Sequence, residues 1–91
     1  MNAAQPAEAF AIPLDSLELG KRAHIESIDW AALEETAARR LRQFGFDEGV
    51  TIEALHLGPF GRDPIAIRVG RMTVAIRRKH ANAVRVIPLI R

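Results

Sequence analysis

Arg39-Arg40-Leu41-Arg42-Gln43-Phe44-Gly45-Phe46-Asp47-Glu48-Gly49-Val50-Thr51-Ile52 is the stretch on which the fold turns. Upstream of it apolar residues recur at helical spacing, and downstream they alternate with polar ones. Gly45 and Gly49 punctuate the change. The pattern predicts the end of the only substantial helix, a tight corner, and entry into a small β-domain. Gly45 suits the left-handed C′ position that closes a helix, which puts Phe46 at C″ against Leu41 in a Schellman closure.

Working back from the corner, Trp30, Leu33, Ala37, Leu41 and Phe44 form one apolar stripe. Their spacing predicts a helix of about 15 residues, roughly 22 Å long. Asp29 is the expected N-cap. Glu34 and Glu35 lie near the positive end of that helix and Arg39, Arg40 and Arg42 near its negative end, in the order the helix dipole favours. Before the helix, Arg22 to Ile28 reads as a strand with Ala23 and Ile25 on one face, and Gly20-Lys21 as a turn. Leu14 and Leu17, three apart, fit a single helical turn with both side chains inward. Residues 1–12, rich in Ala, read as a flexible tail, leaving residues 13–91 as the domain.

Working forward, Val50 to Ala54 alternates as a strand. The phase breaks where Leu55 and Leu57 flank His56, and a bulge there restores it. Gly58-Pro59-Phe60-Gly61-Arg62-Asp63-Pro64 is a loop by composition. Ile65, Ile67 and Val69 alternate on one strand, and Met72, Val74 and Ile76 on the next. Gly70-Arg71 between them fits a two-residue type II′ turn. Lys79 to Ala83 is a short turn, and Val84 to Ile87 a last strand that Pro88 marks as near a sheet edge. The sum is a mainly β domain of about five short strands with one α-helix between strands 1 and 2. Such strands close into small barrels to bury one face. The early helix fits an SH3-like barrel better than an OB-fold, whose helix comes later.

Composition limits what this domain does. A chain of 91 residues buries roughly 60–65 % of its unfolded surface, which leaves little room for a large catalytic cavity. There is no cysteine, so disulfides and thiolate metal sites are excluded. No apolar run approaches the ~20 residues of a membrane span, so no direct membrane insertion is expected. The first residues lack the basic start of a secretory signal, and a cytoplasmic location is the expectation. Net charge is +2, with the basic excess in the second half. That bias permits an acidic partner without demanding nucleic acid.

No constellation of catalytic residues is legible. Gly20-Lys21 lacks the other glycine and the hydroxyl of a P-loop. His24, His56 and His80 never fall at ligand spacing, although a His24–His56 pairing across strands stays open. Ser16 and Ser27 have no recognisable base. The chain therefore reads as no enzyme, with no cofactor and no metal site. Arg77-Arg78-Lys79-His80 is a basic run without aromatic stacking platforms beside it. It favours a solvated face or an acidic protein partner over specific nucleic-acid binding. Phe60, among glycines and prolines and beside Arg62, is either a plug folded onto the barrel end or an interface anchor.

Four pieces of the chain, in order, carry a resemblance. They are Leu14-Asp15-Ser16-Leu17-Glu18-Leu19-Gly20, then Arg40 to Ile52 around the Phe44-Gly45-Phe46 corner, then Asp63-Pro64-Ile65-Ala66-Ile67-Arg68-Val69, then Thr73-Val74-Ala75-Ile76-Arg77-Arg78. Across about residues 12–88 the sequence resembles the ferrous-iron transport protein A family, FeoA. Phe44 stands where that family usually has leucine before the glycine, and Arg62 is inserted into its glycine-aspartate-proline loop. The resemblance implies a cytoplasmic, SH3-like, non-catalytic protein. It would assist the membrane ferrous-iron transporter FeoB, whose own cytoplasmic GTPase domain supplies the nucleotide chemistry. Alternatives are a small basic barrel that binds nucleic acid and a histidine-based metal-binding protein. The expected partner-contact residues are Leu57, Phe60, Arg62 and Met72, chosen because the loop and the hairpin after Gly70 lie where a strand-edge groove could open.

Overall fold

The computed structural model describes residues 10–89. Six strands form one antiparallel sheet: β1 (Ile12–Pro13), β2 (Arg22–Ile28), β3 (Thr51–Leu57), β4 (Ile65–Val69), β5 (Met72–Ile76) and β6 (Val84–Pro88). Their spatial order is β1-β6-β2-β3-β4-β5. One α-helix, α1 (Glu35–Gln43), connects β2 to β3, and a four-residue helix, α2 (Arg78–Ala81), connects β5 to β6. The strand that sequence reading did not foresee is β1. It has only two residues, pairing Ile12 with Val86 and Pro13 with Arg85, too few to show an alternating pattern. The expected tail, residues 1–12, lies mostly outside the described residues, and its last residue is already in this strand. No ladder joins β5 to β1 among the described residues, so the hydrogen-bonded ring expected of a closed barrel is not completed there.

Alternation does what the sequence implied. Ala23 and Ile25, Ile52 and Ala54, Ile65, Ile67 and Val69, Val74 and Ile76, and Val84 and Val86 are all buried and form one cluster. A single sheet whose inward residues all meet must wrap round them. Leu14 and Leu17 close the cluster from one 3₁₀ turn, Leu14–Ser16, in which the Leu17 N–H donates to the Leu14 carbonyl at 3.1 Å. The expected bulge is present: the β3–β4 register slips between Ala54 and His56, which leaves Leu55 extra and lets Leu57 pack against the core again. Val69 faces Met72 across a two-residue turn in which Gly70 has φ 59°, the first-position geometry of type II′.

The corner closes as a Schellman motif. The Phe46 N–H donates to the Leu41 carbonyl at 3.0 Å and the Gly45 N–H to the Arg42 carbonyl at 3.0 Å, with Gly45 at φ 91°. Phe46 and Leu41 are both buried, so the corner pins the helix end to the sheet.

The start of the helix corrects the expectation. Trp30–Ala32 is a separate 3₁₀ turn, Leu33 and Glu34 are extended, and α1 has nine residues rather than about 15. Asp29 makes no side-chain cap. Its backbone carbonyl, not its carboxylate, accepts from the Ala32 N–H at 3.0 Å. The Arg42 guanidinium lies 4.1 Å from the centre of the Trp30 ring. Residues 30 and 42 of one continuous helix would be separated by about 18 Å along the axis. The contact needs the chain to break after the 3₁₀ turn and bring Trp30 back beside the last turn of α1.

Candidate functional site

Ala37, Arg40 and Leu41 of α1 and its C-cap residue Phe44 stand at i, i+3, i+4 and i+7 and so share one face. Opposite them are Ala75 and Ile76 at the end of β5, the last strand of the sheet, and Arg77 and His80 beyond it. Phe60 and Pro64 of the 58–64 loop close one side. Between these elements lies a groove of 330 Å³, apolar on its helix and strand walls and basic at Arg40 and Arg77. No Asp or Glu lines it.

The loop beside the groove is held by specific contacts. The Gly58 N–H donates to the Pro64 carbonyl at 2.7 Å. A Cβ on Gly58 would stand 2.5 Å from the Asp63 carbonyl oxygen, so only glycine fits. The Asp63–Pro64 peptide is cis. The Asp63 carboxylate accepts from the Arg78 N–H at 3.1 Å, satisfying one of the free donors at the start of α2. Asp15 reaches α2 from the other side, with its carboxylate 3.5 Å from the Arg78 guanidinium and accepting from the Asn82 side-chain amide at 3.4 Å. Lys79 pairs with Glu34 at 3.8 Å. The basic run is therefore divided by its use: Arg78 and Lys79 are ion-paired within the fold. Arg77 and, across the groove, Arg40 have no acidic partner among the described residues. His80 lines the groove, and its Nε2 is shut off from solvent without a hydrogen-bond partner.

The four contact residues expected from sequence are not one patch. Phe60 is 80 % exposed, standing at the rim of the groove rather than folded back as a plug. Leu57 and Arg62 border a different depression, with Leu17 and Arg78. Leu57 is half-buried against the core, and Arg62 is exposed with φ 68°. Met72 is 44 % exposed but sits at the hairpin end of β5. Four residues of strand, about 13 Å, separate it from Ile76 at the groove. Sequence reading missed Arg40, Phe44, Ala75 and Arg77 as neighbours. Its nearest signal was the helix stripe together with the basic run after β5.

The histidines do not converge either. His24 pairs with Thr51, and His56 lies five residues further along β3, about 17 Å away. His80 is on α2. Among the described residues no three of His, Cys, Asp or Glu gather closely enough to hold a metal ion, and no helix is long and apolar enough to cross a membrane.

A small antiparallel sheet that wraps one core, with a helix after its first long strand, is the architecture of an SH3-like domain. The FeoA domain model matches residues 12–88, and the chain belongs to that family. Among solved structures it is similar to an iron uptake regulatory protein (FeoA), at 29 % identity over 88 % of this chain and 99 % of that one, with a TM-score of 0.72. FeoA from Chlorobium tepidum is 32 % identical over 87 % of this chain and 71 % of that one, TM-score 0.75. FeoA from Stenotrophomonas maltophilia, in complex with zinc, is 33 % identical over 86 % and 89 %, TM-score 0.69. That protein is described as a prokaryotic SH3 domain protein, and a role as a ferrous iron transport activating factor is suggested for it. No curated protein sequence matches the chain.

Proposed function

We propose that this chain is a non-catalytic, cytoplasmic accessory protein of ferrous iron uptake that works by binding the membrane transporter FeoB through its cytoplasmic GTPase domain. Membership of the FeoA family across residues 12–88 carries the reading. The surface agrees with it. The chemistry on view is that of a binding module: an exposed Phe60 beside an apolar groove whose two arginines have no acidic partner among the described residues. Exposed aromatic and arginine side chains around an apolar centre are the usual anchors of protein interfaces.

The role is regulatory. The accessory protein would carry neither nucleotide nor iron through a reaction, and its contribution would be the free energy of contact with one state of the transporter. Deleting the chain is expected to reduce ferrous iron uptake under anaerobic conditions, and the tagged protein is expected to co-purify with the transporter. Normal uptake in the deletion strain, together with failure to co-purify, would refute the role.

A further inference from the structure

We propose that the groove between α1 and the end of β5 is the docking site for an acidic segment of a protein partner that carries one large apolar side chain. This inference rests on the reading above that the chain acts by contacting a protein, and adds where and with what chemistry. The apolar walls, Ala37, Leu41, Phe44 and Ile76, are too few and too narrow for a globular surface, and 330 Å³ matches one aliphatic or aromatic side chain with its neighbouring backbone. Phe60, 80 % exposed at the rim, lies over that space, where an incoming side chain would cover it.

Charge decides the sign of the partner. Arg40 on the helix wall and Arg77, just past the end of β5, line the groove without an acidic partner among the described residues. The cations nearest the groove on the same elements are by contrast ion-paired within the fold, Arg39 of α1 to Glu35, and Arg78 and Lys79 of α2 to Asp15 and Glu34. A carboxylate on either side of the anchoring side chain meets a guanidinium able to bind it through two N–H groups, whereas a lysine-bearing segment meets like charge. A peptide chain with carboxylates flanking an apolar residue satisfies both the walls and the rim, which a small anion or a nucleic acid does not.

The test uses the purified protein and fluorescein-labelled ten-residue peptides in which one leucine, isoleucine or phenylalanine is flanked by glutamates and aspartates. Fluorescence polarisation should show binding of the acidic peptides, at least roughly ten-fold weaker when the apolar residue is glycine or when Arg40→Glu and Arg77→Glu are combined, and none when the acids are lysines. Both substitutions are on exposed side chains, and thermal unfolding of the double variant should match the parent. Absence of binding for every acidic peptide at millimolar concentration would overturn the proposal, as would undiminished binding to the double variant. So would a concentration-dependent dimer in sedimentation that competes with the peptide, which would assign the groove to a second copy. Binding of the transporter's cytoplasmic domain that survives the double charge reversal would overturn the groove and leave the accessory role standing. Normal ferrous iron uptake in the deletion strain, with the acidic peptides still binding the purified protein, would do the reverse.

Discussion

The Asp63 carboxylate accepts the backbone N–H of Arg78 at 3.1 Å, fifteen residues along the chain. That bond ties the loop carrying Phe60 to the short helix carrying His80, and so fixes the two sides of the groove relative to each other. Asp63→Ala is expected to cost about 1 kcal/mol, within the range measured for lost helix caps. Asp63→Asn keeps an acceptor oxygen and should cost less. Chemical denaturation gives both numbers, and faster hydrogen exchange at the Arg78 amide would locate the loss at α2.

Two glycines should fail for different reasons. Gly45 has φ 91° and nothing within 4 Å of a built Cβ, so Gly45→Ala meets only backbone strain, about 1–2 kcal/mol. Gly58 has backbone atoms of Asp63 and Pro64 within 2.7 Å of the added carbon, so the loop itself must move. Gly58→Ala should cost a similar 1–3 kcal/mol. Amide chemical shifts separate the cases: changes confined to the corner for the first, changes across the 58–64 loop for the second.

Trp30 is the only tryptophan and reports on its own contact with Arg42. Arg42→Ala should cost about 0.5–1 kcal/mol and change the indole emission, and Arg42→Lys should retain part of both. An unchanged spectrum in Arg42→Ala would mean that the stacked arrangement is not populated.

That contact also marks what the sequence could not reveal. The stripe Trp30, Leu33, Ala37, Leu41, Phe44 looked like one helix because burial constrains where side chains point, not whether the backbone hydrogen bonds are continuous. A 3₁₀ turn followed by an extended pair and a shorter helix still turns all five inward: Leu41 into the core, Trp30, Leu33 and Phe44 against it, and Ala37 buried beside the groove. The Gly45 corner was legible because its cause is local: a left-handed position, then an aromatic that must bury. The bulge at Leu55 and the Gly70 hairpin were legible for the same reason. The site was not, because it is assembled from α1, the 58–64 loop, β5 and α2, and pairing Arg40 with Arg77 across a groove depends on how the sheet wraps. Phe60 alone could be picked out, as a large apolar residue in a loop of glycine and proline. Met72 was chosen from the same sheet edge but lies at its far end.

Stability and binding should separate cleanly at two positions. Leu41 is buried beneath the corner and on the groove floor, so Leu41→Ala should lose about 2–5 kcal/mol. Phe60→Ala removes an exposed side chain and should change stability by no more than about 0.5 kcal/mol. If the groove is the contact surface, Phe60→Ala nevertheless weakens partner binding several-fold. Thermal unfolding and a binding titration on the same samples compare the two.

The most direct measurement is an amide chemical-shift map of the isotope-labelled protein on addition of the transporter's cytoplasmic GTPase domain. A contacting accessory protein should show saturable changes, with Arg40, Phe60, Ala75, Arg77 and His80 foremost and the β1 and Gly70 ends of the sheet little affected. A spectrum that does not change at saturating concentrations of the domain would contradict the account.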